Sequence, residues 1–188
     1  MTPKIPACFL LLALLITNVL LGCDSEPASL YEIVSPASLE IGAALPPITE
    51  AELLNISGNI SVTNKDDVLV FDRPMLEQLG IVKYTVSDPW LDTDVTYSGV
   101  LVSELLKHAG VSDSVEAIRV LALDGYEKDI PMAVIQSHPV LLAFQADNTY
   151  LTVDSNGPTR IIFRYDHYSP ITEARNMSVW NVASIEVQ

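Results

Sequence analysis

The chain reads as an α+β domain: a mixed sheet built with hairpins and flanked by short helices. Three observations carry that reading. Val140 to Tyr165 holds three apolar segments separated by turn-forming residues. Val102, Leu105, Leu106 and Ala109 fall at i, i+3, i+4 and i+7, the stripe of a helix lying on a core. Elsewhere strand-like runs are joined by short polar turns, so hairpins interleave with helices. A doubly wound parallel sheet would instead alternate strand and helix strictly.

The elements follow in order. Leu53 to Ser57 reads as a first strand, stopped by Gly58-Asn59, with Ile60-Ser61-Val62 expected to pair nearby. Val68 to Phe71 leads to Asp72, a good N-cap, then to a short helix with Pro74 in its first turn and Gly80 as its stop. Ile81 to Val86 returns as a strand, and Ser87-Asp88-Pro89-Trp90 leaves the sheet as a turn or loop. In the helix of residues 102–109, Leu105 and Leu106 point to the core, with Glu104 and His108 paired on the outer side. Ala117 to Leu123 and Tyr126 to Ile130 form a hairpin across Asp124-Gly125. Pro131 opens a short helix that ends near Ser137.

Val140 to Phe144 is apolar throughout, the pattern of a strand buried on both faces. Ala146 to Thr149 turns the chain back, Tyr150 to Val153 returns, and Asp154 to Pro158 is a second break. Ile161 to Phe163 is a third strand. These three are expected at the centre of the sheet. Val179 to Val187 closes the domain as a strand, with Ala183, Ile185 and Val187 on one side.

The N-terminal region has a different character. Lys4 precedes an apolar run from Phe9 to Leu21, broken only by Thr17 and Asn18. That is the pattern of a secretory signal, too short and too sharply ended for a membrane span. It closes on Leu20-Leu21-Gly22-Cys23, which resembles a bacterial lipobox and implies lipid on Cys23. The alternatives are an ordinary cleaved signal with a chance cysteine, or an uncleaved anchor. Asp24 after Cys23 resembles an inner-membrane retention signal, so the expected address is the periplasmic face of the inner membrane of a Gram-negative bacterium. The division expected is a signal peptide at 1–22, a Pro-rich tether at 23–50 and the folded domain at 51–188.

Two cysteines occur, Cys8 and Cys23. With Cys8 in the signal and Cys23 lipidated, the domain has no disulfide, thiolate ligand or cysteine nucleophile. Loss of Lys4 with the signal takes the formal charge from −14 to −15. That balance argues against a nucleic-acid partner and against a polybasic membrane patch. His108, His138 and His167 lack metal-ligand spacing, so no metal site is expected from them.

A series of short segments then lines up. It runs Tyr97-Ser98-Gly99-Val100 before Leu105-Leu106, Asp124-Gly125-Tyr126 with Ile130-Pro131, and Val140 to Ala143. Gly157-Pro158-Thr159-Arg160, Val179-Trp180 and Ser184 to Val187 complete it. In order and spacing it resembles the molybdopterin-binding oxidoreductase domain of the sulfite oxidase family, over about residues 51 to 188. The resemblance implies that family's sheet and crevice. It also implies a molybdenum-ligating Cys just after the strand Ile81 to Val86. This chain has Ser87-Asp88-Pro89-Trp90 there, and Asp or Ser is a poorer partner for that metal than a thiolate.

Within those segments Asp88, Trp90, Tyr126, Arg160 and Arg164 are the candidate cofactor- or ligand-binding residues. Trp90, Tyr126 and Arg160 are expected to converge on one concavity, with Asp88 and Arg164 at its rim. Arg160 and Arg164 alternate in phase with Ile162, as on one strand face. They read either as an anion-recognising edge or as partners for the many acidic residues. Trp90 reads either as part of a pocket mouth or as an indole packed on the core, and Tyr126 as a cofactor-side residue or a packed turn residue.

Three functions stay open. The first is a ligand-binding or sensory module with no cofactor, serving a small ligand and a membrane signalling partner. The second is an oxidoreductase, or a subunit with a redox partner, that binds molybdopterin through non-Cys contacts. The third is a structural envelope lipoprotein, which needs no concave site.

Overall fold

The computed structural model describes residues 29–188. The segment expected to be a signal peptide and Cys23 therefore lie outside the described residues. Among the described residues, eleven strands form two sheets, accompanied by four short α-helices. The first sheet contains β1 (Glu32–Ser35), β4 (Ile81–Asp88), β5 (Thr93–Leu101), β8 (Leu141–Ala146) and β10 (Arg160–Ile162), in that order. The short β9 (Thr149–Tyr150) pairs with β8 on the β10 side. The second sheet runs β3 (Leu69–Phe71), β2 (Leu54–Gly58), β11 (Val182–Val187), β6 (Ala117–Ala122), β7 (Glu127–Pro131). Its β2–β11 pair is parallel and the others are antiparallel, so the sheet is mixed as expected.

Local chemistry explains most of these elements. Helix α1 (Arg73–Gln78) starts where Asp72 Oδ1 accepts the Met75 amide at 3.0 Å. Helix α2 (Val102–His108) places Val102, Leu105 and Leu106 in the core, Leu105 with no exposure. Helix α3 (Met132–Ser137) begins immediately after Pro131, and α4 (Thr172–Met177) buries Ala174. Between β5 and β8 the register shifts at Ser98/Gly99. A Cβ at position 99 would collide with the Leu142 carbonyl, so that close approach requires glycine. One hydrophobic cluster joins the two sheets, with Tyr97, Phe144 and Phe163 beside Ile56, Phe71, Ile118 and Ile185. No helix among the described residues is long and apolar enough to cross a membrane.

Several expectations are corrected. The segment assigned to the tether belongs to the domain from Glu32 onward: β1 pairs with β4, and Leu39 is 8% exposed. The Thr49 and Glu50 amides donate to Asp72 Oδ2 at 2.7 and 3.1 Å. Prolines there shape a strap rather than a spacer. The strands from Val140 to Phe163 lie at one end of their sheet, because β4 and β1 extend it beyond β5. Ile60 to Val62 forms no strand; the Ser61 and Val62 amides instead donate to the Ala109 carbonyl that ends α2. His108 is buried, and Glu104 pairs with Lys107 at 2.7 Å instead. In β11 a bulge between Val182 and Ser184 resets the alternation, so Val182, Ile185 and Val187 face inward and Ala183 does not.

Candidate functional site

Asp88 is the last residue of β4, and the strand alternation turns it inward with Val82, Tyr84 and Val86. Tyr97 comes from β5 and Arg160 from β10, so three strands of one sheet bring these side chains together. All three are buried, at 0%, 0% and 2% exposure. Asp88 Oδ2 accepts the Tyr97 hydroxyl at 2.7 Å and lies 3.3 Å from Arg160 Nη2. Arg160 Nη1 donates to the Tyr97 oxygen at 2.9 Å. The other carboxylate oxygen, Oδ1, accepts the backbone amides of Trp90 and Leu91 at 2.9 and 3.1 Å. Asp88 thus ties off the β4–β5 turn and the arginine with the same group. Burial, followed by donation to Asp88, pushes the Tyr97 phenol well above its usual range, so it serves as a donor throughout the physiological pH range.

Above this network lies a cleft of about 300 Å3. Its walls are Trp90 from the β4–β5 turn, Tyr126 from the β6–β7 turn and Trp180 from the segment before β11. Arg175 of α4, Ser178 and Asn181 contribute polar groups, and Asp124 of the β6–β7 turn adds a carboxylate. Trp90 and Trp180 meet edge to face at 5.3 Å, and Trp90 meets Tyr165 in the same way at 5.8 Å. The Arg175 guanidinium lies 5.5 Å from the Trp90 ring, and the Arg160 guanidinium lies 5.2 Å from the Trp180 ring. Ser178 is held by Tyr165 and the Ala174 carbonyl, at 3.0 and 2.9 Å. Burial pushes the Tyr165 phenol up to about 12.

Of the five candidates, Trp90 and Tyr126 face this cleft. Tyr126 is half exposed, following a turn in which Asp124 accepts its amide, so it is not packed away. Arg160 does not line the cleft; it lies behind Trp180. Asp88 is not at a rim, because its four hydrogen-bonding partners hold it inside. Arg164 is elsewhere. Strand β10 ends at Ile162, which breaks the alternation that would have set Arg164 beside Arg160. Arg164 instead pairs with Asp166 at 2.8 Å and donates to the Leu30 carbonyl at 2.7 Å. It lines a separate, open depression with Lys83 and Tyr31.

Sequence reasoning missed Tyr97, Arg175 and Trp180 as site residues. Trp180 stood in one of the family-like segments and, as one of only two tryptophans, was the available signal. Arg175 lay in a polar run with no pattern to mark it.

Residues 78–165 match the family of the oxidoreductase molybdopterin binding domain. Together with the two sheets and few short helices, this defines the chain's architecture as the sulfite-oxidase-like molybdopterin-binding fold, class α+β. Among solved structures, the chain resembles the sulfane dehydrogenase SoxCD from Paracoccus pantotrophus, with a TM-score of 0.54 and 19% identity. The likeness covers 72% of this chain but only 37% of that one, and at this identity it is a likeness of fold. No curated protein matches the chain.

The matched family is described as molybdopterin-binding. Neither cysteine falls among the described residues, and no cluster of three His, Cys, Asp or Glu side chains there is placed to hold a metal. Asp88, at the end of β4, is committed to Arg160, Tyr97 and two amides. The donor set around the cleft therefore does not fit a thiolate-held molybdenum.

Proposed function

We propose that this domain is a ligand-binding module on the sulfite-oxidase-like fold, working without molybdenum and reporting a small molecule to a membrane partner. The observation that carries the reading is the saturation of Asp88 beneath an intact cleft. The carboxylate is consumed by internal bonds, yet Trp90, Trp180 and Tyr126 still wall a space of about 300 Å3 with Arg175 at its side. Aromatic walls suit a small, flat ligand, and Arg175 beside Trp90 and Trp180 suits an anionic group on it, directed away from Asp124. We place the chain on the periplasmic face of the inner membrane, held by lipid on Cys23. The lipobox-like Leu20 to Cys23 and the Asp24 that follows it support that placement.

The test is a titration of intrinsic tryptophan fluorescence with pterin-6-carboxylate, a flat heteroaromatic anion. Saturable quenching is expected, and Arg175→Ala should weaken it roughly tenfold, the usual scale for losing a charged hydrogen-bonding partner. Quenching that never saturates, or that Arg175→Ala leaves unchanged, contradicts the reading. The match of residues 78–165 to a molybdopterin-binding family favours a second reading. In it, the cleft holds the pterin through non-Cys contacts and the domain serves an oxidoreductase; metal content separates the two.

A further inference from the structure

The two cleft walls share one buried support. Asp88 Oδ1 accepts the amides of Trp90 and Leu91, which fixes the turn that carries the first indole. Its Oδ2 lies 3.3 Å from Arg160 Nη2, and the Arg160 guanidinium sits 5.2 Å from the ring of the second indole, Trp180. Besides their direct edge-to-face contact, the two indoles are thus linked from behind through a single ion pair. Such a pair is a poor way to gain stability, because well-packed apolar residues of similar volume usually do as well or better. Arg160 Nε is also buried with no hydrogen-bonding partner, a further cost of placing a guanidinium here. A guanidinium can nevertheless do two things that an apolar side chain cannot: hold a carboxylate and lie against the electron-rich face of an indole.

We infer that Asp88 and Arg160 are positioning residues that set the two tryptophan walls of the cleft. The inference deepens the ligand-binding reading and rests on the cleft being the binding site. Neither residue touches the ligand space directly. Asp88 acts through the Trp90 backbone, and Arg160 acts through the Trp180 ring.

The chain provides its own reporter. Its only two tryptophans are Trp90 and Trp180, so intrinsic fluorescence and the indole exciton couplet in circular dichroism both report the cleft alone. The experiment compares the full chain with Asp88→Leu/Arg160→Met, which replaces the pair by apolar side chains, and with Asp88→Asn. The double variant is expected to keep its cooperative unfolding while the couplet collapses. Acrylamide quenching of the tryptophans should rise roughly twofold as the edge-to-face contact is lost. A folded double variant with an unchanged couplet and unchanged quenching would overturn the inference, because packing alone would then be holding the walls. Should the double variant fail to fold, Asp88→Asn gives the same reading: a weakened couplet supports the inference and an unchanged one overturns it. If neither variant folds, the pair holds the domain rather than the walls, and the inference fails. These signals need no ligand. A wild-type chain that binds no pterin-6-carboxylate, but whose couplet depends on the pair, would remove the binding reading and leave the positioning one standing.

Discussion

Arg160 Nη2 lies 3.3 Å from Asp88 Oδ2, with both side chains closed to solvent. The two residues come from strands at different places in the sheet, β10 and β4, with Tyr97 of β5 bonded to both. Removing one partner leaves an uncompensated buried charge. Arg160→Ala should therefore cost about 3–5 kcal/mol in urea unfolding, while Asp88→Leu/Arg160→Met should cost far less or stabilise. Equal losses in the two variants would mean that the arginine contributes by its bulk and not by its charge.

Asp72 joins the N-terminal strap to helix α1. Burial works against its charged form, but the amides of Thr49, Met75 and Glu50 together hold the carboxyl below its usual range. The unfolded chain thus takes up this proton first. The stabilisation is complete above the unfolded value of about 3.9, and it is lost as the pH falls through the lower folded value. Asp72→Ala should cost roughly 2–4 kcal/mol at neutral pH, from the lost cap and the lost strap contacts. The gap between wild type and variant should then close on acidification. A gap that stays constant down to acid unfolding would contradict the account.

Leu105 has no solvent exposure and packs in the cluster shared by the two sheets. Leu105→Ala should destabilise the domain by about 2–5 kcal/mol, read from the denaturant midpoint at an unchanged m-value. A midpoint equal to that of wild type would mean the α2 face is assigned wrongly.

Cys23 tests the proposed address. Cys23→Ala should abolish detergent partitioning and leave uncleaved or mislocalised precursor, because the thiol is the atom that would carry lipid. Processing in the wild type should be sensitive to globomycin. Unchanged partitioning of the variant would remove the anchored reading.

Much of the fold was legible because it is written locally. The stripe from Val102 to Ala109, the Asp72-Arg73-Pro74 start and the Asp124-Gly125 turn each specify their element within a few residues. What was hidden depends on pairing across the chain. No periodicity says that the strands divide into two sheets, or that a Pro-rich segment adds β1 to the edge of β4. Arg160 and Arg164 illustrate the same limit. Two-residue alternation places them on one face only if the strand continues, and β10 stops at Ile162. The aromatic part of the cleft was half visible, since Trp90 and Tyr126 sit in family-like turns. The cation was misassigned, because the surface arginine lies on α4 and the expected one is buried beneath Trp180.

The reading proposed for this domain is a ligand-binding module on the sulfite-oxidase-like fold that works without molybdenum. Elemental analysis of the protein purified from its native envelope tests it most directly, together with pterin fluorescence after oxidation. The account predicts molybdenum far below one atom per chain and no pterin signal. One molybdenum per chain, with the fluorescence of an oxidised pterin, would contradict it and establish the oxidoreductase reading.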